Sequence, residues 1–77
     1  MAQYEGHRSK NAWNVALWMG NDEPTYRLAM DCIARSKTLG HAAVMFLGYV
    51  GENARTPDGA RYNYTCVREA LAGLKDG

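Results

Sequence analysis

The sequence predicts an all-α fold, a compact bundle of about four short helices with a long loop before the last. Three observations carry this. Apolar residues recur at helical spacing in several separate segments. Capping and stop residues bracket those segments. A stretch rich in turn formers and charge, Gly51 to Arg61 (GENARTPDGAR), precedes the final segment. At 77 residues, 47% apolar and 22% charged, the chain is one globular domain, 1–77, near the size where a single core only just outweighs chain entropy.

Met1 to Lys10 is a polar lead-in, expected to be partly mobile. Ser9 or Asn11 can cap a first helix running to Met19, with Gly20 as its stop. Ala12, Trp13, Val15, Ala16, Leu17 and Met19 cover most of its circumference, and only Asn14 breaks the apolar surface. Such a helix is buried on several sides. Trp13 reads as core. For Trp18, beside Asn14, core and partner contact both stand.

Asn21 or Asp22 caps a second helix, with Glu23 in its first turn and Pro24 near its start, as the helix dipole and the missing proline donor favour. Tyr26, Ala29, Met30 and Ile33 form its apolar stripe, flanked by Leu28 and Cys32. Arg27, Asp31 and Arg35 are spaced to pair on the wet face. Lys37 to Gly40 reads as the exit. His41 to Val50 (HAAVMFLGYV) favours a buried helix by its length and two alanines. The alternative is an α+β fold with a hairpin from residues 41–50 and 60–64. Thr56-Pro57-Asp58-Gly59 fits a β-turn. Asn63 or Thr65 then caps a last helix, with Val67, Ala70, Leu71 and Leu74 as its stripe.

Composition narrows the classes of action. Nine Lys/Arg against eight Asp/Glu give a net charge of +1. A DNA mimic needs a strongly negative surface, and a sequence-independent DNA binder needs a basic excess; this chain has neither. No apolar run approaches the roughly 20 residues that span a bilayer, and the polar N-terminus lacks a secretory h-region, so the expected site is the cytoplasm. Cys32 and Cys66 are too few for a disulfide framework and read as small buried hydrophobes.

Chemistry-bearing clusters are sparse. His7, Cys32, His41 and Cys66 stand singly, whereas zinc sites usually draw ligands in close pairs, so no metal and no cofactor is expected. Asp22 and Glu23 are explained by capping, Ser9, Ser36 and the threonines by caps and turns, so no catalytic residue is expected either. Asn63-Tyr64-Thr65 matches a glycosylation sequon without a secretory context. The candidate partner-binding residues are Trp18, Arg55, Arg61, Tyr62 and Tyr64, because tryptophan, tyrosine and arginine dominate interface hot spots. Basic residues interleaved with aromatics can also hold phosphates and stack on unpaired bases. A solvated loop with its tyrosine rings packed inward is the plainer explanation of the same residues.

The segment N-x-W-N-V-A-L-W-x-x-N-D-E from Asn11 to Glu23, followed by T-Y-R-L-A, resembles a group of small uncharacterised proteins of phages and other mobile elements. The likeness covers roughly residues 4 to 30. It implies a bacterial host cell and, by the habit of such genomes, binding to a host protein, with anti-CRISPR and anti-restriction inhibitors as the prominent examples; it assigns no functional residue. The leading expectation is therefore a non-enzymatic phage-type inhibitor that binds a host defence complex, a CRISPR effector foremost, by occlusion or conformational locking. A small nucleic-acid-binding accessory protein using the same loop is the second reading. A homodimeric structural protein, its first helix completed by a second copy, is the third.

Overall fold

The computed structural model describes residues 9–51 and 53–76. The expected lead-in lies outside them up to residue 8, His7 included. Four helices account for most of the described chain: α1 (Lys10–Asn21), α2 (Glu23–Arg35), α3 (Leu39–Val50) and α4 (Tyr64–Asp76). The all-α bundle with a loop before its last helix is the fold. Among the described residues, extended pairing is confined to one isolated antiparallel bridge, Arg55 with Arg61.

Local chemistry sets the boundaries. The Ser9 hydroxyl accepts from the Ala12 amide and starts α1. Asp22 serves two helices at once. Its backbone N–H closes α1 on the Trp18 carbonyl at 3.0 Å, and its carboxylate opens α2 by accepting from the Thr25 amide and hydroxyl, at 3.3 and 2.6 Å. Gly20 is therefore not the stop: α1 continues through it to Asn21, because the cap two residues later supplies the termination. Thr38 likewise caps α3, accepting from the His41 amide at 3.0 Å. Lys37 to Gly40 is thus a junction, with Leu39 and Gly40 already in the first turn of α3. Asn63 caps α4 through its side-chain oxygen, which accepts from the Cys66 amide at 2.9 Å.

Residues 41–50 are helical, so they form no hairpin with 60–64. The reason is partnership: residues 60–62 pair with 54–56 instead, leaving 41–50 to satisfy its backbone internally. On α2 the buried centre is Ala29 and Cys32, while Tyr26, expected in the stripe, is 40% exposed. Arg27 pairs back with Glu23 at 3.6 Å rather than forward with Asp31, which takes Arg35 at the same distance.

Helix α4 packs against the other three, and α2 against both α1 and α3, whereas α1 and α3 do not meet. The pair α2/α4 is therefore a central layer with α1 on one side and α3 on the other. Phe46, Met19, Leu71, Val15, Val67 and Cys32 fill the space between them, each fully buried. Burying a side chain such as Val, Leu, Phe or Met contributes about 1.5–3 kcal/mol, which makes these residues the main stabilising contacts of so small a chain. Both cysteines are free and buried. Burial, and then Asp31 nearby, raises the Cys32 thiol above its ordinary value.

Candidate functional site

The site is built where the loop between α3 and α4 folds back over α1. At 100° per residue, Ala12, Val15 and Met19 form one stripe of α1, buried in the core. Asn11, Asn14 and Trp18, at spacings of three and four, form a second stripe beside it. That second stripe is a clamp for the loop. The Asn11 side-chain oxygen accepts from the Arg61 amide at 2.9 Å, and its NH2 donates to the Arg61 carbonyl at 2.9 Å and to the Cys66 sulfur at 3.3 Å. Asn14, 7% exposed, accepts from the Thr56 hydroxyl at 2.6 Å and donates to Asp58 Oδ2 at 3.0 Å. The Trp18 indole N–H donates to the same carboxylate oxygen at 2.9 Å.

The clamped loop is a short two-stranded ribbon. Thr56 N–H donates to the Ala60 carbonyl at 2.8 Å and Tyr62 N–H to the Ala54 carbonyl at 3.1 Å. The Gly59 amide closes the turn on the Thr56 carbonyl at 2.8 Å, and Gly59 has φ +95°, the left-handed position of a three-residue hairpin loop. Alternation along the ribbon then decides which side chains face the bundle. Thr56 and Ala60 are buried and Tyr62 half-buried, its ring tilted against Phe46 with centroids 5.6 Å apart. Arg55 and Arg61 stand on the opposite, exposed face.

Those hydrogen bonds make Arg55 and Arg61 a non-hydrogen-bonded pair, the type with the closer side chains, about 4.5 Å between Cα atoms. The Arg61 backbone groups point out of the ribbon, and Asn11 takes both. Arg55 Nη1 donates to the Gly59 carbonyl at 2.9 Å and Arg61 Nη2 to Asn53 Oδ1 at 3.4 Å, so a neutral oxygen orients each guanidinium. Beside the ribbon lies an open groove of about 510 Å³ lined by Lys10, Asn11, Trp13, Asn14 and residues 58–60. Asp58 is its fixed negative charge: donation from Asn14, then from Trp18, holds its carboxyl below the ordinary carboxylate value.

Of the five residues the sequence marks, Trp18, Arg55, Arg61 and Tyr62 meet on this ribbon or its clamp. Tyr64 begins α4, 45% exposed, with its hydroxyl over Gly40 of α3. Tyr62 faces inward, and burial, followed by the charge of Asp22, raises its hydroxyl above the ordinary tyrosine value. Trp13, expected in the core, is half-buried and lines the groove, because the core stripe of α1 runs through Ala12, Val15 and Met19. The sequence reading missed Asn11, Asn14, Thr56 and Asp58 as a unit. Their signal was the amide, amide and indole series at 11, 14 and 18, which puts three hydrogen-bonding groups on one stripe of an otherwise apolar helix.

His41 is exposed in the first turn of α3, and Cys32 and Cys66 are buried on different helices. Among the described residues no group of three or more His, Cys, Asp or Glu is placed to hold a metal, and no helix is long and apolar enough to cross a membrane.

No curated protein and no solved structure matches the chain. A family model does, over residues 1–75, which takes in the clamp, the ribbon and nearly all of α4: the chain belongs to DUF7249, a family of unknown function.

Proposed function

We propose that the chain is a non-enzymatic inhibitor that binds a host defence complex in the bacterial cytoplasm, with anti-CRISPR-like action by occlusion or conformational locking. The observation that supports this best is the preorganised ribbon. Loops usually lose binding energy to ordering, about 0.5–1.5 kcal/mol for each side chain immobilised. Here side chains of α1 fix the loop before any partner arrives, and it presents two arginines outward. Arginine on a rigid platform is a typical interface anchor. The likeness of residues 11–23 to proteins of phages and mobile elements adds the context of a bacterial host.

The test is affinity capture from bacterial lysates carrying defined defence systems, with and without nuclease, read by mass spectrometry. A stoichiometric subunit of a defence complex that survives nuclease is the expected result. Recovery of nucleic-acid-linked proteins alone, lost on nuclease treatment, refutes it and favours the accessory-protein reading, which the adjacent arginines also suit. Salt separates the two as well, because phosphate-driven binding falls steeply with added salt. A homodimer completed through α1 has less to gain, since the ribbon already covers the flank carrying Asn11, Asn14 and Trp18.

A further inference from the structure

We propose that the Arg55–Arg61 pair, with the Trp13 groove beside it, seats a carboxylate-bearing peptide segment of the partner. The inference rests on the protein-binding reading above and names the chemistry the partner must present.

Like charges placed directly opposite each other on an antiparallel pair are destabilising. In this ribbon the two cations occupy the closer, non-hydrogen-bonded type of pair, with Arg55 turned to Gly59 at the turn and Arg61 to Asn53 at the open end. Among the described residues neither arginine is paired with a carboxylate; Gly59 and Asn53 orient them through neutral oxygens. Their outward face touches none of the core. The fold gains only one exposed bond to a neutral oxygen from each cation, whereas separate carboxylates of an incoming segment would offset the like charge and accept from each forked donor in turn.

Asp58 decides which anion. It sits between the two arginines in sequence, at the turn of the same ribbon, and stays ionised because Asn14 and Trp18 donate to it. A continuous polyanion laid across the site would meet that charge. A peptide segment would not: its carboxylates are discrete, its backbone N–H groups can donate to Asp58, whose Oδ1 takes no bond from Asn14 or Trp18, and an apolar side chain can enter the groove beside Trp13. Lys10 lines that groove and adds a third cation near its edge.

The probe is the peptide acetyl-Asp-Glu-Leu-Glu-Asp-amide, titrated into the isotope-labelled protein and followed by two-dimensional NMR and fluorescence anisotropy. Its Asn/Gln counterpart and an oligothymidylate of equal charge serve as comparisons. The acidic peptide should shift Arg55, Gly59, Arg61 and the Trp13 indole, and the neutral counterpart should not. Arg55→Gln and Arg61→Gln should each weaken binding by about tenfold or more, as loss of a charge-assisted fork implies, with Tm unchanged or raised. That combination is one a structural role could not produce. A fall in Tm on either substitution, retained affinity, or tighter binding of the oligothymidylate would overturn the proposal. Failure here is distinguishable from failure of the inhibitor reading. If lysate capture recovers a defence subunit equally well with Arg55→Gln and Arg61→Gln, only the carboxylate seat is wrong. If the peptide binds as expected but no defence protein is captured, the seat stands and the host assignment falls.

Discussion

Replacing Asn14 by Ala tests whether polar contacts, rather than apolar packing, hold the ribbon on α1. Asn14 and Thr56 are 7% and 4% exposed, and the 2.6 Å bond between them is cut off from water. Asn14→Ala leaves the Thr56 hydroxyl proton without an acceptor, which costs about 1–3 kcal/mol for a buried donor. For a domain of this size that corresponds to a fall in Tm on the order of 10 °C. Thr56→Val costs a similar amount for a different reason, since the buried Ala60 amide donates to that hydroxyl at 3.1 Å and loses its acceptor. The double variant orphans only the Ala60 amide. It should therefore fall short of the sum of the singles by about 0.5–3 kcal/mol, the range for residues in one network. Thermal unfolding by circular dichroism on the four proteins measures the cycle, and an NMR titration adds a second readout. Asp58 should titrate closer to an ordinary carboxylate in Asn14→Ala, because its largest source of stabilisation is gone. Additivity of the two singles to within about 0.5 kcal/mol would refute the network, and an unmoved Asp58 titration would refute its extension to the turn.

Three further outcomes follow from the same geometry. Trp18→Phe keeps an apolar ring but removes the donor to Asp58, so amide exchange over residues 56–60 should accelerate while helicity holds; unchanged exchange would mean the indole N–H does not hold the turn. The raised Tyr62 hydroxyl means the fold favours its neutral form, so that contribution is intact below the unfolded value near pH 10 and is lost as pH rises through the folded value. Tyr62→Phe should flatten this alkaline loss in unfolding curves and delete the latest-titrating tyrosinate absorbance; persistence of either would contradict the assignment. Among the described residues the buried Ser36 hydroxyl has no partner, so Ser36→Ala should leave stability unchanged or raise it by up to about 1 kcal/mol in denaturant melts, and a clear loss would reveal a partner.

The helices were legible because their signals are local. Ser9, Asp22 with Pro24, and Asn63 each act within four residues, and the stripe of Val67, Ala70, Leu71 and Leu74 needs no knowledge of the rest of the chain. The errors arose where one residue serves two elements or where a distant partner decides. Gly20 looks like a stop until Asp22 is seen capping both helices, and Thr38 looks like an exit until its hydroxyl is seen starting α3. The arginines and Trp18 could be singled out by residue type. Their assembly could not, because the clamp joins residues 40 to 50 positions apart in the chain. Asp58 read as a turn former and Asn11 as a cap, each a sufficient local explanation that concealed a tertiary one.

On the proposed binding role, the clamp and the arginines divide the work of the site, and that division makes function separable from stability. Asn11, Asn14 and Trp18 hold the ribbon through bonds internal to the chain, so removing any of them should weaken binding by loosening a preorganised loop, with stability falling in parallel. Arg55 and Arg61 oppose each other on the exposed face of the ribbon, each held among the described residues by a neutral oxygen alone, so removing either should weaken binding while stability holds or rises. A plot of affinity against Tm for the five single variants should therefore split into two groups. If all five fell on one line, the arginines would be structural, and the exposed pair would have no role beyond the fold.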